Sequence, residues 1–216
     1  MYEYTDKIIK ILNKKYIKLF NDLKKLKIDE LNVISPVTKV YETAKKLAKE
    51  SYIELALWYY DYIIKSDFFT EEQKKKAHKL TKKQAIDLVE EMLEDYNAVT
   101  LYVFNHEVDR KKTRLFEALN STNKRNEEIK KALRYWALQS SQYADAITDI
   151  AVEKAFIDNG VQKVKWITQE DERVCTTCNE RHNKVYDIDK IPDKAHYNCR
   201  CYVIPIRSSN DRRKDN

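Results

Sequence analysis

The sequence predicts a mainly α protein, with an elongated helical body followed by a small C-terminal β-rich module that a metal ion holds together. Three observations favour this fold class. The 216 residues include one glycine and three prolines, too few for the many tight turns of an all-β protein. Apolar residues recur at intervals of three and four over long segments, which is the period of an amphipathic helix. All four cysteines lie close together near the C-terminal end of the sequence.

The composition is typical of a globular chain with a heavily solvated surface. Hydrophobic residues make up 43% of the chain and charged residues 35%, with a net charge of +6. The longest apolar stretch, Leu55–Tyr60, is far too short to cross a bilayer. The residues Met1–Asp6 are polar and do not resemble a signal peptide. We therefore expect a protein made in a cytosol, with no membrane partner.

The first helix is predicted from about Thr5 to Lys27. One face carries lysines, and the other carries apolar side chains at helical spacing. The apolar residues are Tyr4, Ile8, Leu12, Tyr16, Leu19, Phe20, Leu23 and Leu26. A helix of this kind packs on its neighbours in a globular protein or lies on a membrane surface, and we favour packing.

A second helix is predicted to begin at Ser35, as the N-cap, with Pro36 at the first helical position, and to run to about Lys65. Its aromatic residues are too dense for one narrow apolar stripe. They are Tyr52, Trp58, Tyr59, Tyr60 and Tyr62. We interpret them first as a core on two sides of the helix. The alternative is an exposed aromatic patch that binds a partner protein, with Tyr59, Tyr60 and Tyr62 facing it.

Two capping boxes, Thr70–Gln73 and Thr81–Gln84, predict a short helix, a turn and a further helix over Gln84–Asp95. Two short helices in sequence also resemble a DNA-binding helix-turn-helix. The second helix is acidic, however, and phosphate would repel it. Its acidic residues are Asp87, Glu90, Glu91, Glu94 and Asp95.

The segment from Asn97 to Leu119 is predicted as one helix or two broken helices, and Asn120–Asn123 as a linker. A long helix follows over about Glu127–Ile157. Its end is marked by Gly160, the one glycine of the chain, in the position of a left-handed C-cap. An alternating strand is predicted over Val161–Ile167.

The chain is therefore predicted to have three parts: a helical body over 1–160, the β-rich module over 161–206 and a charged, disordered tail over 207–216. Two further β segments are expected in the module, at Lys184–Ile188 and Tyr202–Ile204. A module of this size cannot support a hydrophobic core without a further link.

The cysteines have the spacing of metal ligands. Cys175 and Cys178 form one pair, and His196, Cys199 and Cys201 form a second group after about twenty residues. Zn²⁺ binds four such ligands in a tetrahedron, and a site filled by protein ligands is structural. The sequence therefore predicts one structural zinc ion, which staples the module.

Five candidate residues compete for four places, and the spacing leaves the choice open. His182 is a weaker sixth candidate, since a polar histidine in a loop is more often solvated. The even number of cysteines also allows two disulfides. We favour zinc because the rest of the chain has no cysteine, which suits a reducing compartment.

The module resembles the Mu F-like minor head proteins of tailed phages, also called phage head morphogenesis proteins. The matching residues are Trp166, Asp171, Cys175, Cys178, Val185, Tyr186, Ile191, Pro192, His196, Cys199, Arg200 and Cys201. A weaker resemblance extends upstream through Val99–Phe104, Glu107–Lys112, Arg114, Leu115, Trp136, Tyr143–Asp145 and Asp149. Ala195 departs from the pattern, because the family commonly has a proline there.

The resemblance implies a structural minor head (minor capsid) protein of a phage or prophage. Such a protein lies inside the head near the portal, acts in head morphogenesis, and in some systems leaves with the DNA. The expected partners are the portal protein and the major capsid or scaffold protein, and the expected locations are the virion and, during assembly, the host cytoplasm. The family motif also implies an ion pair or hydrogen bond for Asp171 and Arg200, and Trp166 and Tyr186 are expected to pack over the metal.

The alternative is a zinc-dependent nuclease or nucleic-acid-binding protein of the treble-clef type. His196 and Asn198 beside zinc-binding cysteines resemble the His–Asn pair of such nucleases. A histidine that binds structural zinc cannot also act as a general base, and no second cluster offers a catalytic metal site. We therefore predict no enzymatic activity, and only weak, non-specific contact with DNA, because the lysines are spread along helices.

Overall fold

The structure is a computed structural model that describes residues 2–27, 33–95, 98–120, 125–196 and 199–206, with the backbone alone for 94–95 and 98–107. Its elements are α1 (Glu3–Asp22), α2 (Ile34–Lys65), α3 (Glu71–Lys76), α4 (Lys82–Asp95), α5 (Ala98–Asn120), α6 (Arg125–Asp158), β1 (Lys163–Ile167), α7 (Thr176–Arg181), β2 (Val185–Asp187) and β3 (Tyr202–Pro205). The predicted fold class, a helical body with a small C-terminal β-rich module, is confirmed. The predicted tail over 207–216 lies outside the described residues.

Three long helices, α1, α2 and α6, form the centre of the body. At 32 and 34 residues, α2 and α6 are about 48 and 51 Å long. The core between the three helices is aromatic: the Tyr41 and Trp136 rings lie 5.6 Å apart, and the Tyr16 ring lies 6.0 Å from Trp136. The buried Tyr16 hydroxyl is satisfied by Ser140 Oγ at 2.8 Å. The three rings pack against one another and so link α1, α2 and α6.

The apolar face of α1 lies inside the bundle. Ile8, Leu12, Tyr16 and Phe20 are all buried. The packing interpretation of this helix is therefore confirmed, and its apolar face is not available to a membrane. None of the helices in the described ranges combines the length and the apolar character that crossing a bilayer requires.

The start of α2 differs from the prediction. The helix begins at Ile34 with Val33 as N-cap and no side-chain cap, so Ser35 is not the cap. Pro36 lies in the first turn of the helix, where a backbone N–H would have no carbonyl partner within the helix. The missing N–H of proline therefore costs no hydrogen bond. The first backbone bond runs from Val37 N–H to Val33 O at 3.2 Å. The predicted end at Lys65 is confirmed.

The aromatic residues of α2 divide between two sides of the helix. Tyr59 accepts a hydrogen bond from the Thr5 hydroxyl of α1 at 3.0 Å, and Tyr60 donates to Asp158 at the end of α6 at 2.8 Å. Both rings are buried, so the two-sided core is confirmed and a partner patch that includes Tyr59 and Tyr60 is wrong. Tyr62 remains, with 47% of its surface exposed.

Both capping boxes are formed. The Gln73 N–H donates to Thr70 Oγ1 at 3.3 Å, and the Gln84 N–H donates to Thr81 Oγ1 at the same distance. The second box makes α4 begin at Lys82, two residues before the predicted start. Beyond it, α5 is one helix from Ala98 to Asn120, rather than two, and Asn120 belongs to it rather than to a linker. The rest of the predicted linker lies outside the described residues.

The long helix α6 begins at Arg125, two residues before the predicted start, and ends at Asp158. The Val161 N–H donates to Phe156 O at 3.0 Å and the Gly160 N–H donates to Ile157 O at 3.1 Å. These two bonds define a Schellman motif, and Gly160 has the left-handed φ of 78° that this motif requires. The predicted C-cap is therefore confirmed.

The module contains a three-stranded antiparallel sheet in the order β2-β1-β3. Val164 pairs with Tyr186 on one side, and Trp166 pairs with Val203 on the other. Val164 and Trp166 point to the same face of the central strand and are buried, as period-two alternation requires. The strands are shorter than predicted at β1 and β2 and one residue longer at β3.

Gly160 gives a test of the C-cap. A Cβ at this position would meet no atom within 4 Å, so Gly160→Ala adds no steric contact. The cost is that of the left-handed backbone alone, about 1–2 kcal/mol of unfolding free energy. Denaturant unfolding measures this loss, and Gly160→Asn, which tolerates a left-handed backbone, is expected to lose less. Equal stability of all three proteins would contradict the assignment.

Candidate metal centre

The first pair of candidate ligands lies at the start of α7. Cys175 is the N-cap of this short helix, and its Sγ accepts a hydrogen bond from the Cys178 N–H at 3.4 Å. This hydrogen bond holds the pKa of the Cys175 thiol below its ordinary value. The Cys-x-x-Cys turn thus favours a thiolate at Cys175 and directs both sulfurs to the same side.

The second group arrives from the segment before β3. Cys199 and Cys201 are buried beside Cys178, and the Sγ atoms of Cys178 and Cys199 lie 3.5 Å apart. Burial raises the pKa of the Cys178 and Cys201 thiols. Burial thus favours neutral thiols at Cys178 and Cys201, and a bound cation would favour the thiolate form.

All five predicted ligands meet around Cys178. The ligating atoms of Cys175, Cys178 and His196 lie within 4.8 Å of one another, and so do those of Cys178, Cys199 and Cys201. Sulfurs that share a tetrahedral ion at 2.3 Å are separated by about 3.8 Å, which agrees with the spacing here. The five residues are therefore close enough to bind a metal ion.

The disulfide alternative is not what the structure contains. All four cysteines are free, and the 3.5 Å between Cys178 and Cys199 is well beyond the bonded distance of about 2.05 Å.

His182, the sixth candidate, is used elsewhere. Its Nδ1 accepts a hydrogen bond from the Thr168 N–H at 3.1 Å, and its Nε2 lies 3.2 Å from the Glu170 carboxylate. Because Nδ1 is an acceptor, the neutral ring carries its proton on Nε2 and donates it to Glu170. His182 therefore fixes the loop between β1 and α7, and it lies in neither group of metal-ligating side chains among the described residues.

Trp166 and Tyr186 pack together in the module. Trp166 is 2% exposed, and its ring lies 6.5 Å from Tyr186 in an edge-to-face arrangement. The Arg181 guanidinium of α7 lies 5.3 Å from the centre of the Trp166 ring. The indole thus joins the sheet to the helix that carries Cys178.

Asp171 and Arg200 form the expected ion pair. Arg200 Nη2 lies 2.7 and 2.6 Å from the two carboxylate oxygens of Asp171, and this contact lowers the pKa of Asp171. The pair joins the loop before Cys175 to the residue between Cys199 and Cys201. Both side chains are partly exposed, so solvent screens the pair, which serves mainly to align the two segments.

A contact that the sequence did not predict joins the module to the body. Lys194 lies beside Asp149 of α6 and beside Tyr2, next to α1. Asp149 is one of three carboxylates, with Asp145 and Glu153, that recur every four residues along α6. This acidic row on a helix with an apolar stripe is the one signal in the sequence that could have indicated a buried cationic partner.

Comparisons of the chain with models of known protein families, with curated proteins and with solved structures find no match. The family resemblance of the module therefore remains a prediction from the motif residues.

Cys178 belongs to both groups of ligands, so its replacement is the most direct test of the site. We expect the protein to bind one ion per chain, and Cys178→Ser to remove it, because neither group is then complete. The helical dichroism should change little, since most helices lie in the body. Elemental analysis of the purified proteins measures the ion.

Thr177→Ala on the same turn, whose side chain is exposed, is the matched control and should keep the metal. A protein that binds no metal, or one whose Cys178→Ser variant binds as much as the native chain, would contradict the assignment.

Proposed function

We propose that this chain is a structural minor head protein of a tailed phage or prophage, associated with the portal inside the head and acting in head morphogenesis. One observation supports the proposal. The residues that carry the family resemblance, which are scattered along the module sequence, come together in one site: the five ligands, the Trp166 ring and the Asp171–Arg200 pair.

The ion that fits this site best is zinc. Thiolate and imidazole ligands favour zinc over the hard cations that carboxylates bind. The buried thiols of Cys178, Cys199 and Cys201 would supply three ligands, with Cys175 or His196 as the fourth. A zinc ion held in this way contributes about 10–16 kcal/mol of apparent binding free energy in small domains, which is enough to order a module with little core. The metal analysis described above also tests this choice.

The partner surface we propose is a stack of three rings between α1 and α2. The Trp58 ring lies 4.1 Å from Tyr4 and 4.9 Å from Tyr62, with all three planes nearly parallel. Tyr62, the outermost ring, has 47% of its surface exposed. Aromatic residues are enriched in interface cores, and a rigid stack loses little entropy on binding. The portal protein is the partner that the resemblance implies.

The treble-clef nuclease has less support than the structural role. His196 lies among metal-ligating atoms with Cys175 and Cys178, where it would bind the ion rather than activate water. In the part of the chain that the structure describes, both groups of metal-ligating side chains belong to this one site. Asn198, the second residue of the nuclease pattern, lies outside the described residues.

We therefore expect no cleavage of plasmid, linear or single-stranded DNA in the presence of Mg²⁺ or Mn²⁺. Gel electrophoresis after long incubation measures this. Cleavage that is lost in His196→Ala while the zinc stays bound would make the nuclease alternative correct.

The portal assignment is tested by charge at the exposed ring. Tyr62→Glu places a carboxylate on the proposed contact surface and should weaken binding to the cognate portal protein by about 2 kcal/mol, or about 30-fold, as for a central aromatic residue of an interface. Co-purification and a binding titration of the two full-length proteins measure the change.

Leu138→Glu on α6 is the matched control, because Leu138 is 50% exposed and the substitution adds the same charge. Portal binding that is equal in both variants and the native chain would exclude this surface, and no portal binding by the native chain would contradict the proposed function.

A further inference from the structure

The metal-binding segment is joined to the helical body by a compact polar cluster, formed by Tyr2, Asp149 and Lys194. Tyr2 immediately precedes α1, Asp149 lies in the C-terminal half of α6, and Lys194 lies two residues before His196. The cluster thus joins the beginning of the chain to a segment that carries three of the five candidate ligands.

Lys194 uses all three of its ammonium protons in this cluster. It donates to Asp149 Oδ2 at 2.5 Å, to the Tyr2 hydroxyl, and to the backbone carbonyl of Cys199 at 3.0 Å. An ammonium group has three donors and no more. The side chain of Lys194 is 23% exposed and that of Asp149 is 19% exposed, so solvent competes little for these bonds.

Tyr2 contacts the backbone of Cys201, the next candidate ligand along the chain. Its hydroxyl has a single proton, which faces two acceptors: Asp149 Oδ1 at 2.5 Å and the backbone carbonyl of Cys201 at 3.1 Å. The Lys194 ammonium also lies 4.8 Å from the centre of the Tyr2 ring, within the range of a cation–π contact. The carbonyls of two candidate ligands, Cys199 and Cys201, are therefore held by one cluster.

The cluster lies over an acidic face of α6. Asp145 and Glu153 flank Asp149 one turn away on each side, and burial raises the pKa of both carboxyls to about 7. Burial raises the pKa of Asp149 as well, and the nearby charge of Lys194 opposes this rise in all three carboxyls. The segment with the ligands therefore meets a surface that attracts the ammonium of Lys194.

We propose that Tyr2 and Lys194 are positioning residues of the metal centre, which hold the carbonyls of Cys199 and Cys201 against Asp149 and so couple metal binding to the docking of the α1 N-terminus. This inference rests on the metal site of the proposed function and not on the phage assignment. Polar groups around the ligands of a metal orient those ligands, and losing one typically lowers metal affinity 10- to 100-fold. Here one of the two orienting residues, Tyr2, comes from the opposite end of the chain.

Coupling between two sites is reciprocal, which separates this proposal from a merely structural role. If the cluster only stabilises the fold, its loss lowers the unfolding temperature of the metal-free and metal-loaded proteins equally and leaves metal affinity unchanged. If the cluster positions ligands, its loss weakens metal binding in a folded protein. Metal binding should then also order the backbone around Tyr2.

The experiment measures the affinity of the full-length protein for Zn²⁺ by competition with a chromophoric chelator. Tyr2→Phe, which removes only the hydroxyl, and Lys194→Met, which removes only the charge and its donors, are each expected to weaken Zn²⁺ binding about tenfold or more. Lys194→Arg keeps a cation with several donors and is expected to recover part of the loss. Amide hydrogen exchange of the first turns of α1 should slow when Zn²⁺ binds, and slow less in Tyr2→Phe.

Two matched controls remove the same groups outside the cluster. Tyr4→Phe removes a hydroxyl of α1 that donates to Glu54, and Lys190→Met removes an ammonium of the module that pairs with Asp187. Both are expected to bind Zn²⁺ like the native chain.

Native-like Zn²⁺ affinity in folded Tyr2→Phe and Lys194→Met would overturn the inference while leaving the metal site in place. Equal weakening in the controls would overturn it as well. Failure of the native chain to bind Zn²⁺ would overturn the metal site and this inference together.

Discussion

The structure depends most on the burial of three sulfurs side by side, those of Cys178, Cys199 and Cys201. Cys178 lies in the six-residue helix α7, Cys199 and Cys201 lie in the irregular segment before β3, and the sheet beside them has strands of only three to five residues. Such a small sheet cannot hold these loops by hydrophobic burial alone. A cation shared by the sulfurs would supply further free energy through its binding.

The module is continuous with the body even though Gly160 separates the two in sequence. Its buried face, Val164 and Trp166, belongs to the same hydrophobic core as the helices. Tyr2 and Asp149 add polar contacts from the body to the ligand segment. The position of the site is therefore set by contacts with the long helices of the body rather than by the short strands of the module.

Local patterns in the sequence were enough to predict the long helices, both capping boxes and the C-cap, although not helix α7 or the N-cap of α2, because each depends on residues within a few positions of one another. Gly160 is the clearest case, since a left-handed residue excludes most side chains. That the five candidate ligands lie close together was also predictable, as spacing alone limits which thiols can meet. The burial of Tyr59 and Tyr60 agrees with the first interpretation of their density, but their partners, Thr5 and Asp158, were not predictable, because they come from helices far away in the chain. The contact between Lys194 and Tyr2 spans 192 residues, and no local pattern encodes it.

The geometry of the ligands also limits what the site can do. A catalytic metal needs a place for water or substrate, so its protein ligands number three and face a cavity. Here five candidates surround one position, and three of them are buried. Four of the five would fill the tetrahedron. An ion held in this way would have no open place for water, which supports the structural role proposed for the protein over a hydrolytic one.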